Sequence, residues 1–207
     1  TISRRVMPFF IEAGVPRTLT LRNNKAVDVG ALIAFVVLYV ADVWTQQRQV
    51  AAVAALVLVG LHSYRLAGWH VREIWTRPLL WSLFLAYAGV IAGFALYPLS
   101  VWSTVPTLLV VHAFAIGGIG LVTVAMMARV ITGHTGRNVR EPSKGVGYAL
   151  ALVALAAIVR VATPLLWPEV YRVSVIAAQL LWLAGFAGFS WIYVPLLVRP
   201  RVDGRPG

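Results

Sequence analysis

The chain has no cysteine among its 207 residues and only seven aspartates and glutamates. Without cysteine there can be no disulfide and no Cys-based zinc or iron–sulfur site, so any metal must use His, Met, carboxylate or backbone ligands. Nucleotide-binding glycine patterns are missing as well. No strand-like segment precedes a glycine cluster, and the Lys-Ser/Thr ending of a phosphate-binding loop does not occur. No Ser-His-Asp or paired-Glu arrangement can be read, because Glu73, Glu141 and Glu169 all fall in loops. No apolar segment alternates with period two, which argues against a membrane β-barrel. The chain opens on Thr1, and its Arg-rich first segment lacks the isolated apolar core and small-residue cleavage site of a signal peptide. A processed or partial chain is the expectation.

What is present is apolar. Hydrophobic residues make up 60% of the chain, against ~45–50% in soluble domains, and the mean hydropathy is +0.81. A bilayer core requires ~20 mostly apolar residues per helix. On that basis the sequence predicts an all-α, polytopic membrane bundle with six spans: 26–44, 50–66, 79–99, 104–130, 146–167 and 173–198. Pro78, Pro98, Pro106, Pro142, Pro168 and Pro200 punctuate the span ends, as helix breakers should. The organisation is then an N-terminal interfacial segment (1–25), a transmembrane domain (26–198) and a tail (199–207).

The net charge is +11. Nucleic-acid binding would need a basic stripe on a soluble fold, whereas these cations sit between apolar spans and read as topology signals. Arg4, Arg5, Arg17, Arg22 and Lys25 precede the first span. Arg65, Arg72 and Arg77 follow the second, Arg129, Arg137, Arg140 and Lys144 follow the fourth, and Arg199, Arg201 and Arg205 follow the sixth. Fifteen of the 18 basic residues thus fall on one side, leaving Arg48, Arg160 and Arg172 for the other. The positive-inside rule places both termini in the cytoplasm. Trp44, Trp102 and Trp167 near the outer ends, and Trp69, Trp75 and Trp81 toward the inner side, read as interfacial anchors.

Polar residues inside apolar spans are functional candidates by default. At ~1.5 Å rise per residue, His112 lies ~9 Å and Arg160 ~10 Å from the outer ends of their spans. Gln179 has a comparable depth and Asp42 lies at an outer end, so depth alone allows these four to converge. Asp28 and His62 belong to inner ends, and His134 is cytoplasmic or interfacial. His112 and His134 would be ~33 Å apart on one straight helix, too far to share a metal ion. His112 offers an imidazole suited to haem iron or copper, or a hydrogen bond to a neighbouring helix. Arg160 needs an anion, Asp42 as a partner, or a route to the outer interface. Gly117, Gly118 and Gly120 give either close helix packing or room for a flat macrocycle. Met126 and Met127 are soft donors for Cu(I), but neighbouring positions on a helix face different ways, which suits gap filling. Gly133-His134-Thr135-Gly136-Arg137 reads as a helix stop whose flanking Arg129 and Arg137 could bind an anionic group.

The run His112-Ala…Gly117-Gly-Ile-Gly120…Met127-Ala-Arg129…Gly133-His134-Thr-Gly-Arg137 closely resembles the signature of the NnrS family. Arg5-Val-Met-Pro8-Phe-Phe, Arg77-Pro78-Leu-Leu-Trp81 with Tyr87, Arg160-Val, and the ending Pro200-Arg-Val-Asp203-Gly204-Arg205-Pro206-Gly207 match further family segments in order. The resemblance implies a multi-pass protein of the bacterial inner membrane, associated with haem and copper and tied to denitrification and nitric-oxide tolerance. It also implies that the chain supplies the second six of about twelve spans, with a missing N-terminal half or a second chain as partner. The positions that match family features are His112, His134, Arg129, Arg137 and Arg160. They are the candidate cofactor-binding residues, with His112 and His134 as metal ligands.

Two function classes follow. One is a haem- or copper-associated protein that binds nitric oxide, with His112 as axial ligand. Turnover would need an electron source, and no cytochrome c motif or flavin site is visible, so this reading leans away from an enzyme. The other is a membrane carrier half in which Arg160 coordinates an anion, or a structural half without its own cofactor. The lipid bilayer is the expected surrounding in each case, and nucleic acid is not a partner.

Overall fold

The structure is a computed structural model describing residues 3–21 and 23–204. Thr1, Ile2, Arg22, Arg205 and the Pro206-Gly207 ending lie outside the described residues. An amphipathic helix, α1 (Ser3–Gly14), precedes the membrane run. Met7, Ile11 and Val15, spaced by four, form its buried edge. Pro8 lies inside α1 and has no N–H to give the Arg4 carbonyl. Asn23 supplies the missing donor, its Nδ2 bonding the Arg4 oxygen at 2.9 Å. At one proline, therefore, α1 is tied to the start of the first span.

Six helices long and apolar enough to cross a membrane follow: α2 (Lys25–Trp44), α3 (Arg48–Gly68), α4 (Pro78–Trp102), α5 (Thr107–His134), α6 (Val146–Leu166) and α7 (Pro168–Leu197). No strand occurs among the described residues. Every expected span is present, and the differences lie at the ends. Asn24 caps α2, its Oδ1 accepting from the Ala26 N–H at 2.9 Å. α5 starts after Pro106 rather than at Thr104, since a residue preceding proline is driven out of the helical region. It also runs past Val130, with Gly133 still helical. The stop is Gly136 at φ +77°. Its N–H bonds the Gly133 carbonyl at 3.1 Å and the Arg137 N–H bonds the Thr132 carbonyl at 3.0 Å, a Schellman ending. The last turn of α2 (Val40–Trp44) and the middle of α5 (Ala113–Gly120) are π-helical. Such widened turns recur at functional sites.

The helices pack roughly in chain order: α2 on α3, α3 on α4, α4 on α5 and α6, and α6 on α7. Half of α4's most apolar window is buried, against 17% for α2 and α7, so these two form the thinly covered edges. With lipid on both sides of the comparison, packing and interhelical polar contacts must hold the bundle together. Small residues allow it, including Ala51, Ala52 and Ala55 of α3 and Ala149, Ala156 and Ala157 of α6.

Six crossings bring both terminal segments and the 69–77 and 135–145 connections to one end, called here the basic end. Contacts confirm this closure. Arg140 Nε bonds the Ala13 carbonyl at 2.9 Å, Arg77 Nη1 bonds the Arg140 carbonyl at 2.7 Å, and the Val202 N–H bonds the Thr135 carbonyl at 3.3 Å. The largest apolar core sits in this half, around Met7, Ile11, Trp69, Ile74, Tyr87 and Val124. Trp69 corrects the reading of tryptophans as interfacial anchors. It is fully buried, packs on Tyr87 and donates its indole N–H to Asn23 Oδ1 at 3.2 Å. Trp44, Trp102 and Trp167 are exposed, as anchors should be.

Candidate functional site

The histidine near the Thr107 end of α5 has one ring nitrogen tied to the backbone. His112 Nδ1 lies 2.6 Å from the Leu108 carbonyl oxygen. A carbonyl only accepts, so Nδ1 must carry a proton, and in the neutral ring it is Nε2 that keeps the lone pair. Metal-ligating histidines are oriented in the same way, through the ring nitrogen that does not bind the metal. His112 is half-buried beside an exposed apolar stripe of α5 that includes Leu108, Val111 and Ile119.

The other polar groups predicted at that depth do not join it. Asp42 is bonded by the Tyr97 hydroxyl, and Gln179 lies on the exposed side of α7. Arg160 is buried (7% exposed), with Nη2 at 3.4 Å from the Tyr171 hydroxyl and Cζ 5.4 Å from the centre of that ring. Its Nη1 is buried with no hydrogen-bond partner. Among the described residues no carboxylate pairs with it.

The glycine run of α5 resolves mostly into packing. A Cβ on Gly89 of α4 would fall 2.5 Å from the Gly117 carbonyl carbon, one on Gly118 2.8 Å from Val90, and one on Gly120 2.6 Å from the Trp182 ring. Beside this contact a cavity of about 290 Å³ remains, lined by Ala88, Gly89, Ala92, Ala113, Gly117 and Ala157 among others. His112 does not line it. Met126 packs on the core while Met127 is exposed, so the two thioethers part as expected for neighbours on a helix.

At the basic end the remaining predicted residues take separate places. Arg129 lies over the Phe10 ring of α1, 4.1 Å from its centre, with Nε buried and unbonded. Arg137 Nη1 reaches the Thr135 carbonyl at 3.4 Å. The His134 ring is exposed, and it is its carbonyl that is engaged, by Arg201 Nη1 at 2.8 Å. Arg201 also grips Asp203 with Nε at 2.9 Å and Nη2 at 2.6 Å, and those bonds hold its guanidinium above the ordinary arginine pKa. Two separated sequence motifs, 133–137 and 200–204, thus fold onto each other. Among the described residues no three His, Asp or Glu side chains come close enough to hold a metal ion.

The densest polar cluster is one the sequence reading did not assemble. Asp28 of α2 accepts from Arg65 Nη2 of α3 at 2.7 Å and from Arg4 Nη1 of α1 at 2.5 Å. Arg65 Nη1 continues to the Tyr87 hydroxyl of α4 at 3.0 Å, and Tyr87 lies 2.5 Å from His62 Nδ1. His62 stacks on Phe94. Five side chains from four helices are thereby linked, and a cavity of about 420 Å³ opens beside Arg4, Asp28, His62 and Arg65. The sequence signal was available: an aspartate one turn inside an apolar span needs a cation, and Arg4 and Arg65 belong to the same end.

No curated protein matches the chain, and no solved structure does. The family model described as NnrS protein matches residues 1–201, nearly the whole sequence. With six membrane-type helices and the motif residues on α5 and its tail contact, the chain belongs to the NnrS family.

Proposed function

We propose that this chain is part of a haem-associated protein of the bacterial inner membrane that lowers nitric-oxide stress, with His112 as the iron ligand. The supporting observation is the Leu108 carbonyl fixing the proton on Nδ1, which leaves Nε2 as a ready donor. The donor chemistry fits haem: an imidazole oriented through Nδ1, next to an apolar helix face. The 290 Å³ cavity does not enclose a macrocycle, so the group would be held on the outer side of α5, between this chain and another element. Haem bound there would supply an iron able to take nitric oxide as a ligand. Copper has less support, because no group of three His, Asp or Glu side chains is gathered among the described residues.

Optical spectra of purified, haem-supplied protein with and without nitric oxide provide the test, for the unmodified chain and for His112→Ala. A Soret band that shifts with nitric oxide and is lost in the variant is expected. Absence of a band in well-folded protein overturns the reading for this chain, and a band unchanged by the substitution moves the ligand elsewhere.

Arg160 favours a second reading, an anion-handling carrier half. A buried guanidinium nitrogen without a partner is a costly feature unless something anionic visits it. Anion uptake into vesicles that falls with Arg160→Gln, without any haem signal, would select this alternative.

A further inference from the structure

The cations of the basic end are not equivalent. Arg4 and Arg65 share Asp28, Arg17 pairs with Glu73 at 2.9 Å, and Arg201 holds Asp203. Arg77 and Arg140 are held by backbone carbonyls instead, those of Arg140 and Ala13. A carbonyl orients a guanidinium without cancelling its charge. Together with Lys144 these two line a crevice of about 730 Å³ between the first turns of α4 and α6, and no carboxylate lines it.

Its setting is the membrane boundary. Trp81 of α4 and Tyr148 of α6 line the same crevice, and Tyr148 is 81% exposed, standing outside the bundle. Amphipathic rings at the ends of apolar spans sit at headgroup level. Ala151, one turn further along α6, continues the wall toward the apolar region. Three uncompensated cations at this depth, beside two headgroup-level aromatics, match the phosphate of a lipid better than a solute in water.

We infer that Arg77, Arg140 and Lys144 form a binding site for the phosphate of an anionic phospholipid in the leaflet facing the basic end. The guanidinium N–H groups not used on carbonyls, and the Lys144 ammonium, supply charge-assisted hydrogen bonds to the phosphate oxygens. Trp81 and Tyr148 flank the glycerol region. The site would hold one headgroup at the junction of α1, α4 and α6, since Arg140 is already tethered to the end of α1.

Spin-labelled phosphatidylglycerol and phosphatidylcholine, compared in vesicles containing the full chain, provide the test by the fraction of motionally restricted label. A preference for phosphatidylglycerol is expected. It should fall about fivefold for Lys144→Gln, which removes one membrane-surface cation, and further for Lys144→Gln with Arg77→Gln. Arg17→Gln, whose cation pairs with Glu73 outside the crevice, should retain the preference and reports that the fold tolerates loss of a basic-end charge. Equal restriction of both lipids overturns the inference, and so does a preference equally reduced by Arg17→Gln, which would be a general surface effect. Inorganic phosphate displacing the labelled lipid at millimolar concentration would overturn the lipid assignment in favour of a free anion.

Discussion

Gly89 and Gly117 bring the backbones of α4 and α5 together so closely that neither side chain nor water separates them at that point: a Cβ on Gly89 would lie 2.5 Å from the Gly117 carbonyl carbon and 2.6 Å from its oxygen. The neighbours are backbone atoms, which cannot rotate away. Gly89→Ala is therefore expected to destabilise the bundle by about 1–3 kcal/mol, as overpacking does. Gly60→Ala, where a Cβ meets nothing within 4 Å, should be neutral or gain up to about 1 kcal/mol from helix propensity. Thermal unfolding of both variants in detergent checks the pair, and equal stability of the two would refute the packing assignment.

Asp28 carries two arginines. Its side chain is 9% exposed and that of Arg65 10%, whereas Arg4 is 33% exposed. Asp28→Asn leaves a buried guanidinium without its counter-charge and should cost about 3–5 kcal/mol. Arg4→Gln breaks a solvent-screened contact and should cost about 1 kcal/mol or less. Chemical unfolding curves for the two variants should separate clearly, and an Asp28→Asn protein as stable as the parent would mean that the cluster is not holding the helices.

Arg160 gives the opposite expectation. Its guanidinium has one weak partner and a buried, unbonded Nη1. If nothing anionic visits it, replacing the charge with an apolar chain of similar length is stabilising or neutral. Arg160→Met should then leave the unfolding midpoint unchanged or raise it. A strongly destabilised Arg160→Met would show that the charge is structural.

Gly136 combines φ +77° with a contact to Asp203, where a Cβ would come within 2.9 Å of the carboxylate carbon. Gly136→Ala should cost roughly 1–2 kcal/mol from the left-handed conformation alone. The damage should stay local and loosen the 200–204 tail from the 133–137 motif. Faster tryptic cleavage after Arg201, with unfolding of the spans little changed, is the expected result. Unaltered cleavage would refute the docking of the tail.

Sequence periodicity and charge located the six spans well because burial in hydrocarbon demands a long apolar run whatever the neighbours are. Span ends were less legible. Gly133 and Gly136 look alike as helix stops, and only the carbonyls of Thr132 and Gly133 decide between them. Side-chain convergence was least legible. Depth along a helix put Asp42, His112, Arg160 and Gln179 at one level, but their rotation about the helix axes sends them to Tyr97, Leu108, Tyr171 and the outer surface. The same ignorance of rotation hid the joining of Asp28, Arg65, His62 and Tyr87. The widened turns of α5 had no signal beyond its glycines.

The carbonyl-tethered arginines at the basic end have a consequence for ionic strength. Dissolved salt weakens attraction between exposed charges, so the Arg17–Glu73 pair should fade as salt rises. The link from Ala13 through Arg140 to Arg77 ends on neutral oxygens and involves no pair of opposite charges to screen. The attachment of α1 to the two connecting segments should accordingly persist in concentrated brine, in conditions where an assembly held by surface ion pairs would come apart.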